Sequence, residues 1–219
     1  MQDLVTCTVE HGNWGGVMYG FREPMINLTY LPDYDDVFSF YNSGALDLAF
    51  LGFGQVDRDG NVNETIFNDV WSGVGGSLDI SFNAKKVVFI GPFTAGGKEL
   101  SVSDGKMSVI KQGTTPKFIE KVEWNSISSV FLKKQRNGVL YVTERCVFRL
   151  TPEGIELAEV APGLDVEKDI IQQMGFRPRI SNDFRIMDER IFRPEKMGLR
   201  KELLKRVARA PSPRNKPVQ

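Results

Sequence analysis

Glu10 closes the run Val5-Thr6-Cys7-Thr8-Val9 and is followed within six residues by Gly12, Gly15 and Gly16. The apolar and small residues predict a strand over 4–10, and the glycines predict a bend over 11–20. Glycine lets a backbone come close to a ligand and present bare N–H groups to it. A carboxylate delivered to such a bend can attack a thioester, because thiolate is a fair leaving group and the resulting anhydride stays reactive. From these residues alone the signal is weak and a plain turn is the favoured reading.

Other chemistries fit less well. His11 is the only histidine, and on a strand it points to the face opposite Glu10, which argues against a histidine-based hydrolase. Two cysteines and one histidine far apart in sequence cannot make a zinc site. Asp57-Arg58-Asp59-Gly60-Asn61 lacks the ligands of a calcium loop and predicts a tight turn with Gly60 at positive φ. Neither Gly12-Asn13-Trp14-Gly15-Gly16 nor Gly52-Phe53-Gly54 has the spacing of a dinucleotide-binding loop. Cys7 and Cys146 are expected to be buried, unpaired small hydrophobes.

The elements that must position Glu10 are legible in outline. A short helix is expected over Asp35–Ser43, with Val37, Phe38, Phe40 and Tyr41 on its apolar side. Leu46–Gly52 and Lys86–Gly91 are nearly continuous apolar runs, as in parallel strands covered on both faces. After Pro92 the pattern alternates. Leu100–Val109 turns at Asp104-Gly105, and Cys146–Leu150 with Ile155–Val160 turn at Thr151-Pro152-Glu153-Gly154, giving two antiparallel hairpins. Asp165 is an N-cap candidate without a capping box, since Lys168 stands three residues on.

With 219 residues, 41% hydrophobic and 26% charged, the chain is long enough for one α/β domain with its own core. It carries 28 basic and 28 acidic residues, so electrostatics supplies no case for nucleic acid or an anionic membrane. No apolar stretch has the length of a spanning helix and no signal segment opens the chain, which makes a cytoplasmic location the default expectation. The last twenty residues hold seven basic residues against one acidic. Arg200–Arg209 could form a basic helix, and the Pro-rich remainder reads as a solvated tail.

Taken together, Glu10 and its glycines, Leu46–Asn63, Gly73-Val74-Gly75-Gly76-Ser77-Leu78-Asp79-Ile80-Ser81, Asn83–Phe89, Phe93–Gly97, Tyr141–Arg145 and Ala161–Asp165 resemble, in order and spacing, the C-terminal (β-type) half of a family I CoA-transferase. The likeness is to the short-chain acyl (propionate/acetate) and ketoacid enzymes, and it runs from about Val5 to about Leu199. It implies an α/β fold with an open, mostly parallel sheet, flanking helices and an antiparallel hairpin section. Residues 1–199 would form the β-type domain and 200–219 a basic tail. That half usually opens with a further segment ahead of the nucleophile, so the domain is expected to be N-terminally incomplete and its sheet to have an open edge.

The resemblance also implies the chemistry. Glu10 would be the nucleophile, carrying the acyl group and then coenzyme A in turn. Gly75 and Gly76 would offer backbone N–H groups to the oxyanion, with Gly54 and Gln55 beside the thioester. Coenzyme A would be a substrate, with no further cofactor and no metal. The expected partners are acyl-CoA, a short-chain carboxylic acid and an α-type half, within a homo- or hetero-oligomer. An acyl-CoA hydrolase using the same site, or an inactive remnant, would keep the same motifs. Ser77-Leu78-Asp79 departs from the Phe-Ile-Asn-like pattern of the propionate enzymes toward the ketoacid type, and Trp14 is bulky for its position.

Overall fold

The computed structural model describes residues 4–17, 26–67, 69–134 and 138–209. The chain opens with a small hairpin, β1 (Thr8–Val9) and β2 (Asn13–Trp14), followed by helix α1 (Tyr34–Asn42). Strand β3 (Ala49–Leu51) leads through Gly52–Gly54 into β4 (Gln55–Asp57) and β5 (Val62–Asn63). Helix α2 (Ser77–Asn83) precedes β6 (Val87–Ile90). The first antiparallel hairpin is β7 (Glu99–Ser103) with β8 (Lys106–Lys111). Strands β9 (Val139–Val142), β10 (Cys146–Thr151), β11 (Gly154–Val160) and β12 (Arg179–Ile186) come next, and α3 (Leu199–Arg209) follows.

Six of these strands form the central sheet, in the order β3-β6-β9-β10-β11-β12. β3 runs parallel to β6 (Ala49 opposite Val87), β6 parallel to β9 (Val139 opposite Val87), and β11 parallel to β12. The two remaining junctions, β9–β10 and β10–β11, are antiparallel. The sheet is therefore mostly parallel with an antiparallel hairpin set into it. The apolar run at 86–91 becomes β6, with Val87, Val88 and Phe89 buried.

Three expectations are corrected. The strand predicted over 4–10 shrinks to Thr8–Val9 and pairs only with β2. It stays outside the central sheet because the chain turns back at once, Gly12 N–H bonding the Val9 carbonyl at 3.0 Å. Cys7 is consequently exposed, whereas Cys146 is buried as expected. The run Leu46–Gly52 is covered on one face only: β3 is the sheet's edge strand, and Leu48 and Phe50 are exposed. The helix start at Asp165 is present. Asp165 accepts the Lys168 N–H at 2.7 Å, and Asp169 returns the bond to the Asp165 N–H at 2.9 Å, a role given to residue 168 in a capping box. Residues 210–219, the rest of the expected tail, lie outside the described residues.

A smaller sheet rides on the central one. Residues 118–119 pair parallel with β4, which pairs antiparallel with β5. The β4–β5 turn is the plain one expected: Asp57 Oδ1 accepts the N–H groups of Asp59 and Asn61, and Gly60 has φ +87°. Buried Tyr141 of β9 stacks on Phe89 and donates its hydroxyl to the Gly60 carbonyl at 2.6 Å, joining the two sheets. Tyr141→Phe should cost about 1–3 kcal/mol of stability, because it strands a buried carbonyl while keeping the ring. Urea unfolding of the two proteins checks this.

Candidate active site

Glu10 sits in the turn between β1 and β2 rather than at a strand's end. Gly12 makes that turn possible: its φ is +93°, and a β-carbon there would lie 2.7 Å from the Pro32 carbonyl oxygen. Two contacts with α1 fix the turn. Tyr41 donates its hydroxyl to Thr8 Oγ1 at 2.9 Å, and Trp14 meets Phe40 edge-on at 4.6 Å between ring centroids. The bulk of Trp14 therefore serves to seat the hairpin on α1. His11, in the same turn, is exposed.

The Glu10 carboxylate reaches across to the segment that opens α2. A β-carbon on Gly76 would lie 2.5 Å from Glu10 Oε2 and 2.6 Å from Phe38 Cζ; one on Gly75 would lie 3.9 Å from Glu10 Oε1. The carboxylate thus rests against backbone that only glycine can present at this distance. Gly75, at φ +54°, adds a left-handed turn just before the helix. Of the residues singled out from the sequence, Glu10, Gly75 and Gly76 are brought together.

Gln55 and Gly54 are placed differently. Gln55 is buried, its amide donates to the Glu123 carboxylate, and its carbonyl accepts from Asn63 Nδ2 at 2.8 Å and from the Glu123 N–H at 3.2 Å. Gly54 donates its N–H to the Asn63 carbonyl at 2.9 Å and leaves room for the Phe67 ring. Both residues brace β4 against β5. Lys117 holds the intervening Phe53, donating to its carbonyl at 2.6 Å with Nζ 4.3 Å from the ring centroid. Burial, with Lys98 nearby, pulls this ammonium down to about 8.

The bracing matters because Asn63 leads into Glu64, an acid that the sequence did not single out. The Glu64 N–H bonds Ser126 Oγ at 3.0 Å, and its side chain hydrogen bonds with Ser77, the residue after Gly76. Glu64 Oε1 is buried and has no hydrogen-bond partner among the described residues. Burial pushes the Glu64 carboxyl up to about 7; the Ser77 bond opposes this and the charge of Glu10 adds to it. The Tyr41 hydroxyl is also raised, by burial first, with the Thr8 bond opposing and the Glu10 charge adding. Glu10 therefore acts electrically on groups from two other elements. No pattern in the sequence marks Glu64, since its burial depends on residues 77 and 126 folding onto it.

The Glu10 carboxylate thus lies against bare glycine backbone on an α/β domain with a mostly parallel sheet, and known proteins share that domain. The chain is 38% identical over 196 residues to the acetate CoA-transferase YdiF of Escherichia coli K12, covering 87% of this chain and 36% of the relative. It is 37% identical over 204 residues to the caffeate CoA-transferase of Acetobacterium woodii, covering 89% of this chain and 38% of the relative. Solved structures of the acyl-CoA transferase YdiF from E. coli O157:H7, as apoenzyme and as a thioester complex with CoA, match with TM-scores of 0.83 and 0.82 at 39% identity, over 87% of this chain and 36% of theirs. No family model matches. The chain is thus a homologue of these CoA-transferases and shares their fold, spanning little more than a third of their length. Among the described residues no helix is long and apolar enough to cross a membrane.

The raised Glu64 acid has a measurable consequence. Its folded form binds a proton up to about pH 7, whereas a free glutamate releases it near 4.3. Its contribution to stability is therefore complete below the lower value and lost as pH rises through the upper one. Glu64→Gln should stabilise the chain by about 1–2 kcal/mol at pH 8 and by nothing measurable at pH 4. Chemical denaturation at the two pH values tests this.

Proposed function

We propose that this chain carries the nucleophile of a CoA-transferase that moves coenzyme A between short-chain carboxylic acids, with Glu10 as the residue acylated. The observation that carries the reading is the Glu10 carboxylate resting on the side-chain-free backbone of Gly75 and Gly76. The homology to transferases of this chemistry supports it, as does the description of one YdiF structure as a thioester complex with CoA.

The reaction would proceed as follows. A Glu10 oxygen attacks the thioester carbon, and collapse of the tetrahedral adduct expels CoA thiolate and leaves an acyl-glutamyl anhydride. The thiolate then attacks the glutamyl carbonyl of the anhydride, forming a glutamyl-CoA thioester and releasing the first carboxylate. A second carboxylate attacks that thioester, the thiolate leaves and returns to the new acyl group, and Glu10 is regenerated. Atoms and charge balance at each step, and no metal or further cofactor enters. Each tetrahedral adduct carries an oxyanion. The Gly75 and Gly76 N–H groups are the proposed donors, and Ser77 and Glu64 border the acyl position. Gln55 and Gly54 contribute by holding Asn63 and hence Glu64. An α-type half, as a separate chain or as further sequence of the same one, would complete the enzyme. Exposed Val70, Trp71 and Trp124 offer apolar surface for it.

CoA exchange between propionyl-CoA and acetate, measured on this chain alone and with an α-type partner, tests the reading. Glu10→Gln should lower exchange by at least about a thousandfold, since it removes the group that forms the covalent bond. Hydroxylamine or borohydride added during turnover should mark residue 10 and no other. Full exchange by the glutamine variant would overturn the assignment. Gly76→Ala, whose backbone φ of −82° suits any residue, should still fold but lose about 10²–10³ in rate by displacing Glu10 from its donors.

A further inference from the structure

Glu64 is a partly buried acid to which the covalent steps on Glu10 give no task. Its backbone is fixed on both sides. Ser126 Oγ accepts its N–H, and the preceding Asn63 is wholly buried, with Nδ2 donating to Gln55 Oε1 at 2.8 Å and to the Ile66 carbonyl at 2.7 Å. The side chain meets Ser77 at the start of α2 and faces the charge of Glu10 from the β1–β2 turn. Tyr41 of α1 also feels the Glu10 charge, and its hydroxyl is committed to Thr8. Glu64 Oε1 is buried and without a hydrogen-bond partner among the described residues.

A carboxylate in that position would be a second anion beside Glu10 with one oxygen desolvated and unpaired, which is costly; the neutral acid avoids the charge and gains a donor. The substrates of the proposed reaction are themselves carboxylates, and a neutral O–H aimed at a carboxylate makes a short, charge-assisted bond. The overall exchange converts one carboxylate into another and neither takes up nor releases a proton. A donor at this place therefore keeps its proton through the whole cycle.

We propose that Glu64 is the substrate-carboxylate donor of the site: as the neutral acid, held by Ser77 next to Gly76, it gives a hydrogen bond to the carboxylate of the short-chain acid lying beside Glu10. This rests on the reading of Glu10 as the nucleophile. Anion binding then favours the protonated form, so affinity for the acid is level below the Glu64 midpoint and falls above it, toward tenfold per pH unit.

The test uses this chain with ¹³C-labelled glutamate, acetate as probe and chloride at equal ionic strength as control. The Glu64 carboxyl resonance is assigned through bonds from its own amide, so the titration needs no variant. Its midpoint should lie near pH 7 and rise by about half a pH unit or more in saturating acetate. In Glu10→Gln, whose neutral amide mimics the acylated nucleophile, acetate should bind about tenfold tighter at pH 6 than at pH 8, and adding Glu64→Gln should remove the difference. A midpoint in the ordinary carboxylate range, a midpoint unmoved by acetate, or no acetate binding would each overturn the proposal. If acetate moves Glu64 while residue 10 is never labelled in competent enzyme, the nucleophile reading falls and the donor assignment stands. If residue 10 is labelled while acetate leaves Glu64 unmoved, only the donor assignment falls.

Discussion

The contact between the Glu10 carboxylate and the backbone of Gly76 constrains everything around it. An oxygen occupying the space next to a missing β-carbon lets the Glu10 side chain lie against the start of α2. Phe38 crowds the same point from α1, so the helix, the turn and the start of α2 must arrive together. A two-residue hairpin has little stability of its own. Here the Tyr41–Thr8 hydrogen bond and the Trp14–Phe40 ring contact hold it on α1. Alpha-helical packing thus sets the aim of a carboxylate that local strand structure could not hold.

Electrostatics supplies the second constraint. Burial raises both Glu64 and Tyr41, their hydrogen bonds to Ser77 and Thr8 oppose it, and the Glu10 charge adds a smaller upward push to each. Such a site disfavours a second negative charge. It favours an acidic proton on Glu64 near neutral pH, an outcome that environment and not residue type decides.

Much of the scaffold was legible because its signals are local. Asp104-Gly105 and Pro152-Glu153-Gly154 turn the hairpins, Val37, Phe38 and Tyr41 mark α1, and Asp165 caps its helix through its own side chain. Gly75 and Gly76 were legible as a pair, and the structure sets them against the Glu10 carboxylate. The misreadings are nonlocal. Residues 4–10 have strand propensity, but Gly12 bends the chain before a partner in the central sheet can be met. Leu46–Gly52 is apolar enough for a central strand, yet it lies at an edge with Phe50 exposed. Gln55 looks like a free amide until Glu123, 68 residues away, is seen to engage it. Glu64 looks like a surface acid until Ser77 and Ser126 close over it.

Four segments far apart in sequence meet around Arg145 and explain why the scaffold can be rigid while the site is built from short pieces. Buried Arg145 donates to Gln112 Oε1 at 2.7 Å, to the Asp169 carbonyl at 3.2 Å and to Thr94 Oγ1 at 3.4 Å, with the Phe93 ring 5.1 Å beneath it. Its neighbour Glu144 accepts the Phe93 N–H at 2.8 Å, and the Arg145 carbonyl accepts from Ala161 at 2.7 Å. One arginine thereby ties the residues after β6, the β9–β10 turn and the capped helix after β11. Phe93 then packs on Phe118, and Phe118 on Phe53, which carries the order forward to Gly54 and Gln55. Those residues hold Asn63, and Asn63 sets Glu64. A buried guanidinium is costly to desolvate. Here the Glu144 carboxylate, 3.6 Å from Nε, offsets the charge. Nε has no hydrogen-bond partner among the described residues, while the Nη donors are met in fixed directions. That directionality carries through packed rings and amide bonds to the second acid of the site.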